Sequence, residues 1–554
     1  MKARMGLVIS LLLGLAAPWG AEARGLAFAA RPALDPNERL GTVSFPVSCS
    51  PAVRPAFSRG VALLHDFWYA EARPQFENIL KAEPSCAMAH WGVAMSVFHQ
   101  IWDRPDEMTL ATGWAQLQAA HAHRAKTERE RDYIAALSEL FRPGQREYQV
   151  RVQAYSDAMA ALYRRYPQDV DAGAFYALSL LAAESPDDTS LAQEHKAMQV
   201  LRPLFATAPD SPGVVHYLIH ACDTPSLAGE GLAAANHYGE IAGSGPHAAH
   251  MPGHIYSRLG LWQADIDSQL ASIAASHAAE ARHMSGSMDQ FHSYDFLLYA
   301  YLQSAQDGHA RAVLSDAAGM LDHFDAMPNM GEPYMVGMLP YYRAKYPVFY
   351  TLEMRDWPAA AALEPIKTAP PETQLLTYWA RTIADGHLHR GGRARADLAG
   401  YDALMEEVKR GRHAYYAGST GARIGRAEML GWVAFADGDS AAASQHLREA
   451  ADLQDEVGQG EVDIPAREML ADVLLDANQP VQALAEYRVA LKFSPNRFNG
   501  LYSAGRAAEA AGDGAQATAY YAELLKATRD GAESTRPELA HAKTFVSAFR
   551  LAAP

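Results

Sequence analysis

Between its first two dozen residues and its C-terminus the 554-residue chain has no apolar run long enough to cross a bilayer, so a spanning helix is not expected. Basic residues are scarce: 48 Lys and Arg stand against 64 Asp and Glu, a net charge of −16. That balance argues against nucleic acid and anionic membrane surfaces as partners. Cysteine is nearly absent, with Cys49, Cys86 and Cys222 alone, which excludes a disulfide-built fold and a Cys-rich metal site. Segments of strand period are lacking, so the chain reads as all-α. It has no His-Glu-x-x-His, no phosphate-cradling glycine loop, no Gly-x-Ser-x-Gly elbow and no Cys-x-x-Cys-His. The common hydrolase, nucleotide and haem chemistries therefore have no foothold here, and the sequence names no catalytic residue.

What is present is helical repetition. In GVALLHDFWYAEARPQFENILKAEPSCAMAHWG, Gly60, Ala72, Phe76 and Pro84 fall at the eighth, 20th, 24th and 32nd places of a 34-residue unit. Those are the places where small residues let two helices approach, an aromatic fills the gap and Pro ends the unit. Near the other end Ala483 and Tyr487 are followed 34 residues later by Ala517 and Tyr521. The fold class expected is an α-solenoid of tetratricopeptide-like hairpins. A positively charged start, an apolar run from Met5 to Ala17 and the Ala21-Glu22-Ala23 pattern read as a signal peptide cleaved after Ala23. Export to the periplasm or medium is the expected location. The remaining divisions are an extended arm over 24–56, an array over 57–318, a Met-, Pro- and Tyr-rich connector over 319–374 and a second array over 375–554. Export permits a disulfide. Cys49 precedes the first unit and Cys86 ends it, a spacing that allows a bridge from arm to array and equally allows two thiols. Cys222 reads as a small buried residue.

Histidine is the residue in excess, with 22 copies. His216 and His220 lie four apart with Asp223 three further on, and His247, His250 and His254 follow at i, i+3 and i+7. Each set shares one helix face. His216 to His250 and His220 to His254 are both one 34-residue period, which puts both pairs on the groove-facing side of adjacent helices. Imidazole suits copper, zinc, iron and nickel, whereas calcium and magnesium want oxygen. A transition-metal ion is therefore expected on His216, His220, His247, His250 and His254 with Asp223 at the edge. His292 and Asp295 open a later helix and would enclose the site, although an intervening insertion spoils their register. His65 and His99, also 34 apart, offer a second, poorer site or packing beside Trp68 and Trp102. His387 and His389 read as exposed loop residues, and Met327, Met330, Met335 and Met338 as thioethers for Cu(I) or gap fillers.

The segments ALLHDFWYAEA, CAMAHWGVAMS, HYLIHACDTP, HAAHMPGHIYSRLGLW and YDFLLYAYLQ resemble signature segments of a family of exported bacterial tetratricopeptide-repeat proteins. The resemblance covers most of the mature chain and is most specific from His216 to Gln303. It implies an α-solenoid and export and brings no reaction. That family has Tyr at the place of His90, and Ser or Tyr-Asp near Ala221 and Cys222, which argues against His90 and Cys222 as ligands. Three functions follow: a metal-binding protein with a protein or peptide partner in its concave groove, a metal-dependent enzyme (copper or iron oxidative, zinc hydrolytic), or a metal-free peptide-binding scaffold.

Overall fold

The structure, a computed structural model, describes residues 37–552 apart from 102–103, 145–146, 186–187, 327–332 and 412–413. The expected signal peptide, residues 24–36 of the arm, Trp102, Met327 and Met330 lie outside the described residues, as does the side chain of Met335. Among the described residues every regular element is a helix, and each helix packs on its neighbours in sequence to form a succession of hairpins.

The first hairpin shows why the sequence folds this way. Helices Arg54–His65 and Tyr69–Ala82 close on Phe76. Its ring lies where a Cβ on Gly60 would come within 2.7 Å, and it also occupies the space beside Gly92 in the next helix. Tyr487 and Tyr521 fill the corresponding gaps near the C-terminus, both fully buried. Starts are set by side chains: Thr127 and Glu130 form a reciprocal capping box ahead of Glu128–Phe141, and Asp439 and Asp513 cap later helices.

Cys49 and Cys86 are joined by a disulfide, and Cys222 is a buried free thiol pushed up to about 12 by burial. The arm from residue 37 is laid along the array. Its Gly41 and Thr42 amides donate to the Ile241 and Asp210 carbonyls, both at 2.8 Å, and Phe45 packs against Phe57, Trp91 and Tyr133.

Two large apolar cores result, one drawn from residues between Leu40 and Ala279, the other from residues between Trp262 and Val546, beside a small cluster around Ile424 and Ala450. They are joined because the chain folds back on itself. Ser257 donates to the Glu461 carbonyl at 2.8 Å and Asn496 Nδ2 to the Gly260 carbonyl at 3.2 Å, while within the second core Arg497 is buried against Glu353 and Glu468 and Arg536 pairs with Asp307. The segment around Glu461 thereby lies against the histidine face, beside His254, Ser257 and Arg258. The connector contains the long helix Pro333–Glu353, which carries Pro340 and Pro347 internally, and Met338 packs at the edge of the second core.

Candidate metal centre

The Pro212–Cys222 helix places His216 and His220 one turn apart, with their Nε2 atoms 3.1 Å from each other. Helices Pro246–His250 and Pro252–Leu259 are joined through Met251, itself in the right-handed helical region. Pro252 thus interrupts the hydrogen bonding without turning the face, and His250 and His254 again meet Nε2 to Nε2, at 3.0 Å. Two nitrogens bound to one tetrahedral ion at ~2.0–2.1 Å stand ~3.3 Å apart. Both contacts are close to that span.

The outer nitrogens explain the orientation. His216 Nδ1 donates to the His65 carbonyl at 2.5 Å, and His250 Nδ1 to Gln269 Oε1 at 2.6 Å. His254 Nδ1 donates to Asp223 Oδ2 at 3.0 Å and Glu461 Oε1 at 3.2 Å. Gln269 is held in turn by Asp265 at 2.8 Å. Fixing Nδ1–H in this way leaves Nε2 as the ligand nitrogen, the arrangement by which outer partners set a metal-binding tautomer.

Three triads have their donor atoms within 4.8 Å of one another: His216, His220 and His247; His250, His254 and His292; and Asp223, His254 and Glu461. His292 is thus brought in despite the insertion. The turn after Ala281 absorbs the extra residues, and Ser272 and Ser293 bond at 2.7 Å across the two helices it joins.

Burial pushes His216 down to about 3, and burial together with neighbouring imidazoles holds His247, His250 and His292 well below the usual histidine range. Neutral imidazole is the ligand form. His254 differs: burial opposes its charge, but Asp223 and Glu461 outweigh it and hold it up to about 10. Burial would raise Asp223; Arg258 at 3.1 Å and His254 reverse this and hold it well below the carboxylate range. Arg258 also lies 3.4 Å from Glu461 and donates to the Gln459 carbonyl.

Three expectations are corrected. His65 does not pair with His99 in a second site: its ring bonds Tyr217 at 2.9 Å and Asp171 at 3.0 Å and stacks on Phe175, while His99 stacks on Tyr69. Its contribution is its backbone carbonyl. Asp295 does not join His292 in enclosing the site: it belongs to none of the triads and is ion-paired with buried Lys345. His387 is no exposed loop residue, since it ends the Pro371–His387 helix between Trp357 and Trp432, with ring centroids 3.8 and 4.1 Å away; His389 is exposed. Sequence reasoning missed Glu461, Gln269 and Asp265, as well as Phe67 and Phe296, which pack on the histidines. The acidic Gly458–Asp463 interruption in the C-terminal repeats was the available signal for Glu461.

No family model matches this chain, and no curated protein sequence does. Solved structures that match include the crystal structure of the TPR domain of P58(IPK). It aligns over 83% of this chain and 98% of that one, at 12% identity and a TM-score of 0.21. A score that low supports nothing by itself, and the class, an all-α array of helical hairpins, rests on the helix pairing described above.

Proposed function

We propose that this chain is an exported helical-repeat protein that binds a transition-metal ion, copper, zinc or iron, through the histidine cluster, in a binding or interaction role. The observation that carries this is the fixing of Nδ1 on His216, His250 and His254 by three different outer partners, so that their Nε2 atoms turn toward other histidines. Histidines retained only for packing have no need of a common tautomer. The Cys49–Cys86 disulfide supports an oxidising compartment. A metal-free peptide scaffold is disfavoured at this face, because His216, His247, His250 and His254 are buried; a protein partner would use another surface.

Catalysis is the second reading. It is favoured by the triads, since three histidines leave a fourth position open in a tetrahedral ion.

The test is elemental analysis of the purified protein after incubation with each metal and dialysis against a weak chelator. The parent is expected to retain copper, zinc or iron, and His220→Ala/His254→Ala to retain none while keeping its helical circular dichroism. A parent that retains no metal sinks the reading.

A further inference from the structure

Resting on that reading, we propose that the six histidines form a dinuclear copper centre that takes up dioxygen: one ion on His216, His220 and His247, the second on His250, His254 and His292. The donor atoms divide into these two sets of three by distance. The division recurs in the packing, because each set has its own phenylalanine. Phe67 lies 4.4, 5.5 and 5.6 Å, centroid to centroid, from His216, His220 and His247. Phe296 lies 4.8, 5.0 and 5.3 Å from His250, His254 and His292. The two helical pairs are one repeat apart, so the second site is a translated copy of the first, completed by a third histidine from another element.

The sets abut. His247 and His250 have ring centroids 6.1 Å apart, and His220 and His254 6.3 Å. The triads are therefore direct neighbours, the arrangement in which a diatomic molecule would reach both ions of a two-metal site. His220 and His292, one from each set, are the partly exposed members, while the rest are buried. Access is thus narrow, which fits a small ligand.

Copper is the ion this environment selects. Both triads are made of imidazole alone, a ligand that suits copper. Aromatic walls and neutral ligands favour an ion that can rest at a single positive charge. In the uptake step each of two Cu(I) ions gives one electron to O2. The product is two Cu(II) ions bridged by peroxide, with no proton gained or lost and no outside reductant.

The test uses the full chain, stripped of metal and titrated with Cu(I) without oxygen, then exposed to air. Two coppers per chain are expected, both oxidised by O2 to a state that assays as Cu(II) yet gives little paramagnetic resonance signal, because a bridge couples the pair. His216→Ala and His292→Ala are each expected to hold one copper and to show the ordinary signal of isolated Cu(II) after air. One copper per parent chain, or two with full uncoupled signal, overturns the proposal while leaving metal binding intact. No copper in the parent overturns the proposal, and the metal-binding reading falls with it only if zinc and iron are not retained either. The parent count stands even if a variant fails to fold.

Discussion

His254 is bonded on both sides, and its bonding fixes what happens when an ion arrives. Its Nδ1 faces two carboxylates and its Nε2 faces the Nε2 of His250, whose own proton is on Nδ1 toward Gln269. Without metal, then, a proton must sit on His254 Nε2, and the neighbouring carboxylates keep that imidazolium up to about 10, against its burial. An ion taking Nε2 releases it. His216 is the opposite case, neutral down to about 3, with its Nε2 3.1 Å from that of His220. Calorimetry in two buffers of different ionisation heat is expected to find about one proton released per ion in His216→Ala, where the His254 set remains, and about none in His292→Ala. Affinity at the His254 set then rises about tenfold per pH unit from 7 toward 9, and stays flat at the other. The imidazoles themselves were legible from their spacing. Of their Nδ1 partners only Asp223 was legible, because the His65 carbonyl is backbone, 151 residues from His216, and Glu461 is 207 residues from His254.

The elements were legible where the 34-residue period holds and obscure where it breaks. The pairing of His216 with His220, and of His250 with His254, follows from single helices. Placing His292 needed the path of the turn before Gln290, which includes left-handed backbone at His283 and Gly286 that no periodicity announces. Phe67, which packs on His216, also has a positive φ, 55°, a conformation that costs a bulky residue on the order of 1–3 kcal/mol. Helix packing also sets the outer partners. A Cβ on Gly253, in Pro252–Leu259, would strike the Gln269 amide and come within 2.7 Å of Asp265 Oδ1 on the facing helix. Gly253→Ala is therefore expected to weaken metal binding by roughly 10–100-fold, the usual cost of losing an outer partner, though it alters no ligand. Competition with a chelator measures the loss. Unchanged affinity would mean that Gln269 does not hold His250 in place.

For the molecule as a whole, the segment that lies over the histidine face was what the repeats did not announce. Repeat patterning describes how each hairpin meets the next and is silent on distant segments, such as Gly458–Asp463 lying over His254 and Arg258. Because that loop closes on the histidine face, metal binding should be felt there. At a hundredfold excess over Kd, a ligand adds about 2.7 kcal/mol to the folded state. Hydrogen exchange that proceeds through opening of the site is then expected to slow about a hundredfold in both 212–262 and 457–464. In Glu461→Gln the slowing should remain at 212–262 and shrink at 457–464; slowing at neither segment in the parent would disconnect loop from site. The same loop also bears on when the centre can form. A chain is made from its N-terminus, and Glu461 leaves the ribosome long after the last histidine of the cluster, His292. The histidines can be folded and already near one another while His254 still lacks one of its two carboxylates. The centre therefore matures late, and a nascent chain arrested before residue 458 would present its imidazoles uncovered to whatever ion its surroundings supply.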